Sequence, residues 1–109
     1  TDRLQQLSLK KLAMDSKSWD GKWRLVIFDI PESARRAREQ IRRLLKELGF
    51  QQLQLSVWVH PLPCLDYFQD VQKAYGIREH IFLVQADKIE VPPVVIKKFE
   101  HEYPGLRLK

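Results

Sequence analysis

A chain of 109 residues has room for one domain with a single modest core. Apolar residues make up 44%, no long polar tract suggests disorder, and no apolar run approaches the ~20 residues of a membrane span. A net charge of +5 points to an acidic partner, nucleic acid above all, while the single cysteine, Cys64, excludes an intramolecular disulfide and fits a reducing cytoplasm.

Residues 1–21 are polar and basic, without the apolar h-region of a signal peptide. Leu4, Leu7, Leu9 and Leu12 follow neither helical nor strand spacing. The segment reads as a linker packed loosely on a neighbouring element, or as what remains when an upstream domain is missing. Asp20-Gly21 marks a turn, with Trp19 and Trp23 on either side.

The stretch from Trp23 to Glu32 organises the chain. Leu25 to Phe28 are continuously apolar and partly β-branched or aromatic, which predicts a central strand buried on both faces. Asp29 stands at its end, and Pro31 stops it because proline has no N–H for a ladder. A helix follows from Glu32 or Ser33 to Leu48. Ala34, Ala37, Ile41, Leu44, Leu45 and Leu48 share one face, and Gly49 sits where a left-handed stop residue is expected. Arg35, Arg38, Arg42 and Lys46 are expected along the opposite face, with Arg36 and Arg43 beside them and Glu39 and Glu47 interrupting. That face is either solvated and laced with local ion pairs, or a phosphate-contacting stripe, for which arginine's planar fork is suited.

Phe50 to His60 is too long for one strand, so a bulge or tight reversal is expected near Gln54 to Ser56, with Val57 and Val59 alternating against Ser56, Trp58 and His60. Pro61-Leu62-Pro63 ends it. A second helix is predicted from Leu65 to Tyr75, with Leu65, Phe68, Val71, Ala74 and Tyr75 on one face and Gly76 closing it. His80 to Gln85 reads as another buried strand. Lys88 to Val91 alternates like a short edge strand, and Pro92-Pro93 can open a last short helix that uses Val94, Val95 and Phe99 and ends at Pro104-Gly105.

Strand, helix, strand pair, helix, strand is the split β-α-β-β-α-β order of α+β ferredoxin-like folds. Two helices then cover one face of a four-stranded antiparallel sheet. The other face, expected to carry Trp58 and half of the central strands' apolar residues, is left without cover, which predicts a homodimer.

These residues also have a family likeness. Trp19 to Glu32, the arginine-rich helix, Leu48-Gly49-Phe50 and Ser56 to Pro61 resemble the central domain of PaaX-type repressors. The same stretch is similar to the small CRISPR-associated "Cas-two" adaptation family, through Phe28-Asp29-Ile30, Gly49 and Gln54-Leu55-Ser56-Val57. The resemblance implies a ferredoxin-like homodimer at residues 22–88. A linker remnant (1–21) precedes it, and a C-terminal extension (89–109) follows, expected to pack on the dimer. On the CRISPR side it implies that Asp29 from both protomers can serve a metal-dependent nuclease, as catalytic residue and Mg²⁺ ligand; the acid often found at the Val59 position is absent here. On the repressor side, which Trp19-Asp20-Gly21-Lys22-Trp23 and Trp58-Val59-His60-Pro61 favour, it implies a winged helix-turn-helix upstream. No such module fits within residues 1–21, so the chain would be a truncated piece or a stand-alone relative.

Three functions follow from these readings. The preferred one is a non-catalytic homodimerising domain of a transcriptional regulator, with nucleic-acid contacts through Arg35, Arg38, Arg42, Arg43 and Lys46 and no cofactor. The second is the Mg²⁺ endonuclease or spacer-adaptation subunit using Asp29, with Glu32 available to assist. The third is a toxin-like ribonuclease of the same fold. Against catalysis, Asp29 is expected to accept hydrogen bonds from the helix start, where negative charge is stabilised. His60, His80 and His101 have no ligand spacing with one another or with Cys64, and no glycine-rich phosphate loop exists. Trp23 and Trp58 sit among apolar neighbours, so core or dimer packing is preferred to base stacking.

Overall fold

The computed structural model describes residues 19–75 and 78–108. The linker expected over residues 1–18, the helix stop at Gly76 and the side chains of Val71 and Tyr75 lie outside the described residues. The strands are β1 (Trp23–Phe28), β2 (Gln51–Gln54), β3 (Val57–His60) and β4 (Ile81–Ala86); the helices are α1 (Arg35–Glu47), α2 (Leu65–Tyr75) and α3 (Pro93–Glu102). The sheet order is β2-β3-β1-β4 with every pair antiparallel, as the split β-α-β order requires.

Cross-strand partners share a face. Arg24 lies opposite His60 and Gln85, Val26 opposite Trp58 and Leu83, and Phe28 opposite Ile81. This first face is buried except on β4, where Leu83 is half-buried and Gln85 exposed. The two crossovers bring α1 and α2 onto it, with Ile41, Leu44 and Leu45 from α1 and Phe68 from α2 in the core. The buried Gln72 amide donates to Ile81 O at 3.0 Å and fixes α2 to β4. Leu25, Ile27, Val57, Val59, Phe82 and Val84 form the second face.

Trp58 is therefore not on the open face, as expected from sequence, but 2% exposed beneath the helices. The strand has only period two, and register with Val26 decides the side. The second face is also not bare throughout. Trp23 and Val59 are buried at one end, and Phe99 of α3 stands 6.0 Å from the Trp23 ring. Towards the other end Leu25, Ile27 and Val57 are half-buried, while Phe82 is 58% exposed.

Two further expectations change. His80 closes a 3-10 turn before β4, and β4 is an edge strand rather than a doubly buried one, because β1 occupies its inner side only. Lys88 to Val91 forms no edge strand; Ile89 and Val91 lean on the core instead, and Pro92 and Pro93 lack ladder donors. The two prolines cost α3 nothing, since Val95 N and Ile96 N close the first turn onto Pro92 O at 2.9 and 3.1 Å. Past the helix, Tyr103, Leu106 and Leu108 return to the same core.

The reversal expected in the long strand is present as a Leu55-Ser56 turn, with a register shift between Gln52 and Gln54. α1 ends as its glycine predicts. Gly49 has φ +89°, its N–H reaches Lys46 O at 3.1 Å, and Phe50 N reaches Leu45 O at 2.9 Å. That is a Schellman closure, completed by the buried Leu45 and Phe50.

Candidate nucleic-acid surface and buried polar clusters

α1 starts later than its apolar spacing suggests. Glu32–Ala34 is a 3-10 turn closed by Ala34 N to Pro31 O at 2.9 Å, and α1 runs from Arg35. Its cations divide into two groups. Arg35, Arg36, Arg43 and Lys46 are exposed. Arg38 and Arg42 are not on the opposite face as expected: at 100° per residue they fall beside Leu45 and Ile41 and are half-buried. Arg38 pairs with Glu32 at 3.0 Å and Arg42 with Glu39 at 3.3 Å. The cations that α1 presents to solvent are thus Arg35, Arg36, Arg43 and Lys46.

Asp29 lies at the strand end, and its backbone N–H donates to His80 O at 2.8 Å. Its carboxylate is exposed and accepts no hydrogen bond among the described residues, so it does not cap α1. The intervening Pro31 and 3-10 turn hold the helix amides away from it. Glu32, the other acid nearby, is committed to Arg38. No group of three metal-ligating side chains exists among the described residues. Asp29 and Glu32 alone do not make an oxygen cage fit for Mg²⁺.

His60 is fully buried between α1, β3 and α3. Its Nδ1 accepts from Leu62 N–H at 3.0 Å, so the proton sits on Nε2, which points at Leu48 O (3.2 Å) and the Tyr103 hydroxyl (3.1 Å). Burial pushes its pKa down to about 3, and the neutral ring packs against Phe50, Phe99 and Tyr103. Burial likewise pushes the Cys64 thiol up to about 12 and raises Tyr103, so neither supplies a nucleophile or base at neutral pH.

A second buried cluster joins the two ends of the sheet motif. Arg24 is 3% exposed; its guanidinium donates to Pro61 O at 2.8 Å, Lys22 O at 3.0 Å and both carboxylate oxygens of Asp20. The Trp19 indole N–H donates to the same Pro61 O at 3.0 Å and to Lys22 O at 2.9 Å, and its ring meets Trp23 edge-on at 4.9 Å. The Arg24 guanidinium holds the Asp20 carboxyl below the usual carboxylate range. Trp19-Asp20-Gly21-Lys22-Trp23 and Trp58-Val59-His60-Pro61 are therefore one physical unit, closed on the Pro61 carbonyl.

A family model described as the PaaX protein central Cas2-like domain matches residues 16–94, which include both halves of that unit. The chain belongs to this family. An N-acetyltransferase ESCO2 of Danio rerio is 43% identical over 56 residues, covering 50% of this chain and 9% of that protein. The chain spans only that small share of the relative's length. No solved structure matches.

In this PaaX-family domain, Arg35, Arg43 and Lys46 are exposed as the sequence suggests, whereas Arg24 and His60 were missed as buried polar centres. The signals were present. An arginine within an apolar strand needs a carboxylate, and Asp20 precedes it by four; a histidine flanked by Val59 and Pro61 sits in a core-like run. Among the described residues, no helix is long and apolar enough to cross a membrane.

Proposed function

We propose that this chain is a non-catalytic, homodimerising domain of a PaaX-like transcriptional regulator, which touches nucleic acid through the exposed cations of α1. The observation that carries the reading is the apolar patch of Leu25, Ile27, Val57, Phe82 and Val84, with Phe82 58% and Val84 37% exposed on the sheet. Apolar side chains grouped on one face beside an unpaired strand edge are costly to leave in water. A second copy, offering the same patch across a two-fold axis, covers both. Arg35, Arg36, Arg43 and Lys46 lie on a helix of the other face, so dimerisation leaves them open to a phosphate backbone.

Sedimentation at micromolar concentration tests the dimer. The expected mass is twice 13.0 kDa, and Phe82→Lys with Val84→Lys should return a folded monomer. A wild-type monomer would refute it. Titration of a labelled DNA duplex tests the surface: binding should weaken steeply with salt, and weaken again when Arg35, Arg36, Arg43 and Lys46 become Gln. The regulator reading also supports a DNA-reading winged helix-turn-helix joined upstream, in a protein that acts without Mg²⁺.

A further inference from the structure

Val94, Lys97, Lys98 and His101 stand at positions i, i+3, i+4 and i+7, so they form one stripe of α3, away from the buried Val95 and Phe99. A stripe of this kind ordinarily faces open solvent. Here, with Glu102, Gly49 and Gln51, it lines a cleft of about 460 Å³ between α3 and the start of β2. That size falls within the range of small-ligand sites. Among the described residues, Lys97, Lys98 and His101 have no hydrogen bond or ion pair, whereas the neighbouring Glu100 accepts from Leu108 N. Glu102 is the one acid in the lining, against two lysines. Gly49 and Gln51 form the wall opposite α3. Lys97, Lys98 and His101 also lie beyond the matched family region, which ends at residue 94.

We propose that this cleft is a phosphate-binding site, in which the Lys97 and Lys98 ammonium groups and the His101 ring hold a phosphate and Val94 supports the body that carries it. Two mobile point charges suit a multiply charged tetrahedral anion better than a single carboxylate. The phosphate belongs either to a free nucleotide or to a nucleic-acid backbone. The site is separate from the α1 surface and stands whether or not α1 contacts DNA.

The test is NMR of the intact chain, following the Gly49 amide and the His101 ring while inorganic phosphate, ADP and a short DNA duplex are added in turn. Both signals should shift and saturate. The double variant Lys97→Gln/Lys98→Gln, altered only at exposed positions, should bind about tenfold more weakly. Lys88→Gln, an exposed lysine outside the cleft, should bind as the wild type does. Saturation with ADP but not the duplex assigns the phosphate to a free nucleotide, and the reverse assigns it to a backbone. Absence of shifts with all three probes, or equal binding by the double variant, overturns the proposal.

Discussion

Mild acid should destabilise this domain through a single ring, that of His60. Its folded pKa of about 3 lies below the ordinary value of 6.5, so the unfolded chain takes up the proton first. The stability tied to the neutral ring is fully present above pH 6.5 and drains as pH falls towards 3. The slope is about 1.4 kcal/mol per pH unit, so moving from about pH 7.5 to about pH 5 costs about 2 kcal/mol from this group. The main cause is burial of the ring away from water, and the geometry agrees with it: Nδ1 is already occupied by Leu62 N–H, so a second ring proton would break that bond. Urea denaturation of the wild type and of His60→Gln at both pH values measures the difference. The variant should be less stable near neutrality by about 2 kcal/mol, since ring packing and the Leu62 bond are lost, but its further loss in acid should be smaller by a similar amount. Long-range ¹H–¹⁵N spectra of the folded wild type should show His60 in its Nε2–H form at both pH values. Parallel pH slopes in the two proteins, or a His60 ring that titrates near 6.5 while the chain stays folded, would refute the reasoning.

Gly49→Ala should lose about 2 kcal/mol in urea denaturation, because φ +89° disfavours a side chain and its Cβ would lie 2.7 Å from the Tyr103 hydroxyl. Asp20→Ala should cost about 1–3 kcal/mol by leaving the buried Arg24 guanidinium short of acceptors, read from the denaturation midpoint and from the emission of the Trp19–Trp23 pair. Acid should weaken the same pair: the Asp20 pKa is depressed by Arg24, so its stabilisation is present above the ordinary carboxylate range and is lost as pH falls below it. Cys64 should react with a thiol reagent at mildly alkaline pH only after denaturant is added, since it is buried with its thiol pushed up to about 12; rapid labelling of the folded protein would contradict that packing.

Local physics alone determined much of this protein. Periodicity separates α1 from β1, Gly49 marks a helix stop, and Pro92-Pro93 marks a helix start, because each depends on near neighbours along the chain. The ferredoxin-like order follows from the succession of elements, and the PaaX-family likeness from motifs that keep their spacing. Side and depth required the tertiary structure. A strand's alternation says that Trp58 and Val59 face opposite ways, but only pairing with Val26 puts Trp58 under the helices. An arginine on α1 carries its charge at any position, yet rotation of the helix half-buries Arg38 and Arg42 and leaves Arg36 and Arg43 open. Asp29 stands next to a helix in sequence but not at its amides, because Pro31 and the 3-10 turn intervene. Arg24 and His60 are polar residues whose partners sit up to 43 positions away, at Pro61, Leu48 and Tyr103. Such bonds form only once β1, β3 and α3 have been brought together by packing, and no pattern within a single element encodes them.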